Sequence, residues 1–321
     1  MPDRSAPLKL GANHWNQYAD WPSFLASQLR AETLGYDSLW TWDHLYPIQG
    51  SHEGPMFEAY TAMAAVAAQT QRATIGLMVG ANTFRNPGLV AKMITTIDHI
   101  SNGRAILGIG AAWFETEHVA FGIPYGESVG ERLRWLGEAL PVMRGMLHGE
   151  RPSADGDKYQ VRDVLNLPAP IQPRVPILVG GGGRNVTLRL VARYADACNL
   201  GGTVENVAEG DAALRRHCEA LGRDEQEIER TAGVGVVVIR DSRDEARRVF
   251  EAIFEHNGQA KVWEDQPVGT PDDVAAHLAP FLELGFHHLI AACPSPYDEE
   301  SLTRLATEVR PQLEKSLGTS V

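Results

Sequence analysis

The sequence predicts a single α/β domain, a (β/α)8 barrel of the TIM type. Three observations carry this reading: short, almost continuously apolar runs alternate with helical patterns, the alternation repeats eight times, and its rhythm breaks only over 149–176. Near-continuous apolar strands fit a parallel sheet covered by helices, and eight of them close into a barrel. One domain spanning 1–321 then accounts for the chain, with 149–176 as an irregular insertion after strand four that covers the barrel end.

Each element has a local reason. Residues 8–13 read as the first strand, and Trp21-Pro22-Ser23 opens a helix over 23–34 that Gly35 stops as a C-terminal cap. Strand two spans 36–42, followed by a loop over 43–56 and an Ala-rich helix from 57 to 69 whose small residues suit close packing on a sheet. Strand three is 73–79. Pro87 sits where a first helical turn tolerates proline, and the helix it starts places Leu89, Met93, Ile97 and Ile100 on one face before Asn102-Gly103 ends it. Strand four, 105–109, leads through a loop over 110–124 to a long helix over 128–147, with Leu133, Leu136, Leu140 and Met143 at helical spacing. The insertion holds Pro152, Pro168, Pro170, Pro173 and Pro176 and reads as a short hairpin plus an irregular connection, a kind of segment often tied to function. Strands at 177–179, 197–200, 233–239 and 287–292 resume the beat, with helices at 185–194, 204–221 and 241–256. Thr270-Pro271-Asp272-Asp273 starts another helix, with Thr as cap, Pro at the first position and acids at the positive end; Gly285 closes it, and a helix over 299–317 completes the set.

Composition narrows the class. A formal net charge of -12 argues against a general nucleic-acid or anionic-membrane binder, which needs a basic excess. Cys198, Cys218 and Cys293 are too few and scattered for a disulfide framework or a Cys-x-x-Cys metal site and read as buried small apolar residues in a reducing interior. The N-terminal MPDRSAPLKLG lacks an apolar run, and no stretch of about 18 apolar residues occurs, so the expectation is a cytoplasmic protein. No His, Glu and Cys set has ligand spacing, so no metal is expected.

In such barrels the chemistry sits at the C-terminal ends of the strands. Asp43-His44 ends strand two, where an imidazole beside a carboxylate can move a proton or be held in one tautomer; a capped strand end is the alternative. Gly108-Ile109-Gly110 is not a dinucleotide fingerprint, because Trp113 replaces its third glycine; its glycines leave room for a flat ring or simply make a turn. The run from Gly180 to Gly183, with Arg184 and a helix behind it, offers backbone N–H groups to a single phosphate, and Leu200-Gly201-Gly202 lies one strand further on. Glu115 and Glu117 suit acid or base work or a solvated acidic loop, and Trp15, Trp42, Phe84 and Trp113 could wall an apolar, planar pocket. His287-His288 falls at the start of strand eight, the wrong end for catalysis.

The stretch NPGLVAKMITTIDHISNGRAILGIGAAWFETEHVAFGIPY, with Asp43-His44 before it and PILVGGGGRNVTLRLVARYADACNL after it, resembles the bacterial luciferase-like monooxygenase family, most closely its deazaflavin (coenzyme F420) branch. The resemblance implies a TIM barrel with an insertion after strand four and a cofactor ring at the strand C-termini. It implies His44 near the ring as base or substrate clamp, and a phosphate held by Gly181, Gly182 and the Leu200-Gly201 turn. It also implies a strand-three bulge at Met78 and Val79 with a non-prolyl cis peptide. The cofactor-binding set it suggests is Asp43, Met78, Val79, Gly110, Ala111, Thr116, Gly181, Gly182, Gly183, Leu200 and Gly201, with Asn13, Trp15 and Trp113 toward the substrate. One departure matters: sugar-phosphate dehydrogenases of this family carry a proton-donating glutamate where this chain has Trp113.

The expected activity is therefore hydride transfer between coenzyme F420 and a small organic substrate, with His44, Asp43 and Glu117 as the catalytic candidates and a homodimer as the assembly. The alternatives are a monooxygenase using reduced FMN, and a flavin- or deazaflavin-binding protein without catalysis.

Overall fold

The computed structural model describes residues 6–260 and 262–318; the N-terminal reading over 1–5 and the outermost residues of the expected domain lie outside them. Parallel strands β1 (Lys9–His14), β2 (Ser38–Thr41), β3 (Thr74–Leu77) and β4 (Gly80–Ala81) are separated by helices α1 (Trp21–Thr33) and α2 (Ala59–Ala67). The expected third strand, 73–79, holds β3 and is interrupted at Met78-Val79, whose peptide is cis as the resemblance implied, and β4 resumes it just beyond the expected end. Then come α3 (Pro87–Ser101), β5 (Leu107–Gly110), α4 (Glu115–Phe121), α5 (Val129–Leu147) and an antiparallel pair, β6 (Ala154–Asp155) and β7 (Gln160–Val161). The second half comprises β8 (Ile177–Gly180), α6 (Thr187–Tyr194), β9 (Ala197–Gly201), α7 (Val204–Leu221), β10 (Glu229–Val236), β11 (Val238–Ile239), α8 (Arg243–His256), β12 (Val268–Gly269), α9 (Pro271–Glu283) and β13 (His288–Cys293). Helices α10 (Glu299–Arg304) and α11 (Arg310–Gly318) are joined by a π-helical turn over Leu305–Val309.

The sheet runs β3-β2-β1-β13-β10-β9-β8-β5-β4, and a parallel bridge between Ile75 and Ala105 brings its two ends together, so the barrel is nearly closed. Trp40, Ile106, Leu178, Ala197 and Ile290 fill its interior, with Met78 and Val79 packed against them. A larger apolar layer lies between the strands and the helices. Local chemistry sets the helix ends: the Asp20 side chain accepts from the Ser23 amide at 2.9 Å, and Thr270 with Asp273 forms a capping box at α9. Among the described residues no helix is long and apolar enough to cross a membrane, and the three cysteines are buried and free.

Several elements differ from expectation for visible reasons. The buried face of α3 is Val90, Ala91, Ile94, Ile97 and Asp98, while Leu89 and Ile100 are exposed. Buried polar residues disguise that face: Thr95 donates to the Ala91 carbonyl, and Asp98 accepts from the Ile171 and Gln172 amides. The loop over 110–124 contains α4, whose start at Phe114 has no side-chain cap to announce it. Strand β10 begins four residues before 233, because Glu229 and Arg230 are strand residues whose charges are paired, Glu229 with Lys9 and Arg230 with Asp211 at 2.6 Å. What reads as its end, Val238–Ile239, pairs instead with Val268–Gly269 in a separate two-stranded sheet. The insertion forms its hairpin, then follows α3: Tyr159 bonds the Asn82 carbonyl near the strand C-termini, and Gln172 bonds the Ala105 carbonyl near the opposite end.

At the N-terminal end a chain of hydrogen bonds leads out of the core. Trp40 Nε1 donates to Ser38 Oγ at 2.7 Å, Ser38 Oγ meets His288 Nε2 at 2.7 Å, and His288 Nδ1 meets Glu229 Oε1 at 3.0 Å, where Lys9 also binds. His287 and His288 thus lie away from the functional end, as their position in the sequence implies.

Candidate active site

The C-terminal ends of β2, the split strand β3/β4, β5 and β8 surround a cleft of about 480 Å³. Gly80, Gly110, Gly180, Gly181 and Gly183 are among its lining residues, and packing explains part of that choice. A Cβ on Gly180 would lie 2.8 Å from Val79 Cγ1, one on Gly110 would lie 2.8 Å from Val79 Cγ2, and one on Gly108 would lie 1.8 Å from the Leu77 carbonyl oxygen. Only glycine admits such close approach, so the strand ends pack tightly around the bulge at Val79.

His44 and Glu117 stand at the wall. His44 Nδ1 is 2.8 Å from Glu117 Oε1, while Glu117 Oε2 accepts the backbone N–H of Leu45 at 2.7 Å. Glu117 is 1% exposed, so its charge is shielded from water and directed at these partners. A carboxylate accepting from Leu45 assigns the proton of neutral His44 to Nδ1 and leaves Nε2 as the ring nitrogen available to a ligand. Short helix α4 is what delivers Glu117 to this position, 73 residues from its partner.

Asp43 does not orient His44, contrary to the sequence reading. Its carboxylate accepts from the Ala81 amide at 2.8 Å and binds the Arg85 guanidinium at 2.7 and 3.0 Å, and Arg85 also reaches Glu58 at 2.7 Å. Burial pushes the Asp43 carboxyl up from its ordinary value, against the pull of the Arg85 guanidinium. The group ties β2 to β4 beneath the cleft. The sequence around Arg85 does not single it out, because its partners, 42 and 27 residues away, give no local signal.

The cleft also gathers Met78, Val79, Gly110, Ala111, Trp113, Gly181 and Gly183. A second hollow of about 380 Å³ is lined by Gly181, Gly182, Leu200 and Gly201, so Gly181, at φ +112°, belongs to both and the two form one elongated trough. Behind it α6 begins at Thr187, which lines the cleft. Arg184 is paired with Glu209 across this rim. Three expected residues lie elsewhere. Trp15 is 3% exposed and packs against Trp42 at 4.4 Å between ring centroids and against Phe254 in a separate apolar cluster. Asn13 is buried at the end of β1 outside the lining, and Thr116 is on the exposed side of α4. Ile48 and Ala112 also line the cleft, as do Val129, Leu133 and Thr187, which the sequence does not mark; the helical spacing of Leu133 by itself reads as a core face. Glu115 is exposed. His118, its neighbour on α4, is buried between Thr83 Oγ1 and the Phe114 carbonyl, each at 2.7 Å, and burial pushes its imidazole down. Among the described residues no group of three or more His, Cys, Asp or Glu gathers in a way that could hold a metal ion.

A barrel whose functional end carries a glycine-lined trough, one titratable dyad at its wall and a glycine loop at its far end is built as an enzyme for an elongated, planar, anionic cofactor. The chain belongs to the luciferase-like monooxygenase family, whose model matches residues 7–267. It is 30% identical over 335 residues to the F420-dependent glucose-6-phosphate dehydrogenase of Kineococcus radiotolerans, covering 96% of this chain and 97% of that one. It is 29% identical over 317 residues to the enzyme of the same name from Amycolatopsis mediterranei, covering 90% and 93%. The fold matches the coenzyme F420-dependent tetrahydromethanopterin reductase of Methanopyrus kandleri with a TM-score of 0.80 at 18% identity, over 96% of this chain and all of that one. An F420-dependent secondary alcohol dehydrogenase solved with an F420-acetone adduct matches equally well, at TM-score 0.80 and 20% identity over 96% and 99%.

Proposed function

We propose that this protein is an F420-dependent oxidoreductase that moves a hydride between the bound deazaflavin and a small organic substrate. The observation that carries the reading is the His44 and Glu117 dyad in a cleft lined by Gly110, Gly180, Gly181 and Gly183 that continues into the glycine loop. The fit is steric as well as chemical. Glycines pressed on Val79 leave room for a tricyclic ring, and Gly182, where an added Cβ would meet nothing within 4 Å, leaves its backbone open to a phosphate.

In this reading Met78, Val79, Gly110 and Ala111 seat the ring, and Gly181, Gly182, Gly183, Leu200 and Gly201 hold the phosphate. The deazaflavin supplies hydride acceptance and donation. The protein supplies orientation and the proton: His44 Nε2 takes the proton from a substrate hydroxyl during oxidation and returns it during reduction, with Glu117 fixing the tautomer and steadying the imidazolium. Asp43 and Arg85 hold β2 to β4.

Titrating the purified chain with F420 and, separately, with FMN, following the fluorescence of each, tests the reading. Saturable quenching of F420 is expected; saturation by FMN alone would replace hydride transfer with the family's oxygen chemistry.

A further inference from the structure

The substrate side of the cleft has a character of its own. Beside its glycines the cleft is lined by Trp42, Ile48, Trp113, Val129 and Leu133, and the Trp42 ring lies 6.4 Å from that of His44. Two of them are oddly placed for a free protein: Trp113 is 60% exposed and Val129 61%, both at the cleft mouth. The Trp113 ring lies 5.6 Å from that of His44 at 73°, and 5.4 Å from that of Phe114. An apolar surface of this size beside a reacting group is expected where a ligand will cover it.

Charge points the same way. Among the described residues no Lys or Arg lines the cleft. The cations closest in the chain are committed elsewhere: Arg85 to Asp43 and Glu58, Arg184 to Glu209, and Arg132 to the face of Tyr125 at 3.9 Å and the Ala112 carbonyl at 3.3 Å. Of the two buried carboxylates that line the cleft, Asp43 is paired with Arg85, while Glu117 faces His44 and the Leu45 amide. A phosphorylated sugar seated at His44 would lose water from its dianion beside a second anion and find no counter-charge, an arrangement proteins avoid.

Resting on the deazaflavin reading of the site, we infer that the substrate is an uncharged carbinol, or the corresponding ketone, with an apolar body that lies against Trp113 and Val129, rather than a sugar phosphate. In the oxidative direction the carbinol C–H bond breaks and its electron pair leaves as hydride to the deazaflavin. The O–H bond breaks with its proton passing to His44 Nε2, and the carbon–oxygen double bond forms; the substrate loses two electrons and the cofactor gains them. Trp113 selects by covering the body of the substrate, an aromatic wall in place of a polar grip.

Calorimetric titration of the full-length protein, with and without F420, separates the possibilities. Cyclohexanone is expected to bind saturably and glucose 6-phosphate to give no saturable heat. Trp113→Ala, at an exposed position that leaves the fold intact by circular dichroism, is expected to weaken cyclohexanone at least tenfold, and Trp113→Phe to restore most of it. With F420 bound, cyclohexanol should reduce the cofactor and glucose 6-phosphate should not. Saturable binding of glucose 6-phosphate in preference to cyclohexanone, or cyclohexanone binding that Trp113→Ala leaves unchanged, overturns the inference. Failure of F420 to bind while cyclohexanone binding still depends on Trp113 would remove the cofactor reading and leave the substrate class standing.

Discussion

Glu117 and His44 face each other at 2.8 Å between Oε1 and Nδ1, and the second oxygen of Glu117 is held by the Leu45 amide at 2.7 Å. One carboxylate therefore fixes both the ring and the loop that carries it. Glu117→Gln keeps the size of the side chain but removes the charge that steadies an imidazolium. Turnover by the F420-loaded enzyme is expected to fall about a hundredfold, within the range for a positioned acid or base, while the F420 dissociation constant measured by quenching stays put. Equal losses in both would mean that Glu117 shapes the trough instead.

Arg85 makes a different kind of contribution. It neutralises a fully buried carboxylate, and removing one partner of such a pair strands the other. Arg85→Ala should cost about 3–5 kcal/mol in urea unfolding, and adding Asp43→Asn should recover part of that loss. A variant as stable as the parent would show the pair to be expendable.

Two glycines of the same run, Gly180 at the end of β8 and Gly182 beyond it, should behave in opposite ways. At Gly180 a Cβ would press on Val79 at 2.8 and 2.9 Å, so Gly180→Ala is expected to destabilise the barrel by about 1–3 kcal/mol as an overpacked position. At Gly182 a Cβ meets nothing within 4 Å, so Gly182→Ala should unfold at the parental temperature yet bind F420 more weakly. Thermal unfolding and F420 quenching, run side by side on both variants, read the contrast.

Acid sensitivity has a named source. His14 is buried beneath Tyr297 and Phe24 with Nε2 on Ser27 Oγ, and burial pushes its imidazole from 6.5 down to about 3. Because the folded value is below the unfolded one, the unfolded chain takes up the proton first. The contribution of His14 is complete above pH 6.5 and is lost as the pH falls toward 3. Between pH 7 and pH 5 this one residue should remove about 2 kcal/mol. His14→Gln lowers stability at every pH but should flatten that slope; an unchanged slope would assign it to other groups.

The barrel was readable because its strands are short apolar runs and most of its long helices carry ordinary caps, features that survive without tertiary context. Glu229 and Arg230 hid the start of β10, since a charged pair reads as a loop until its partners Lys9 and Asp211 are in place. The site was partly readable for the same reason. Glycines and a histidine at strand exits mark where chemistry belongs, but strand exits do not say which way a side chain turns. Trp15 therefore packs behind Trp42, and Asp43 serves Arg85. The partner of His44 is set by where α4 docks, and nothing near His44 in the chain encodes that.

At the N-terminal end of the barrel, Ser38, His288 and Glu229 stand in the relation that makes a serine nucleophilic in hydrolases: hydroxyl to Nε2 at 2.7 Å, Nδ1 to carboxylate at 3.0 Å. Ser38 is 0% exposed and already accepts the Trp40 indole N–H, so its hydroxyl is closed to any substrate. A fluorophosphonate should leave it unlabelled. Hydrogen-bond geometry is thus shared between a latch and a nucleophile, and access to the hydroxyl decides which of the two a fold has made.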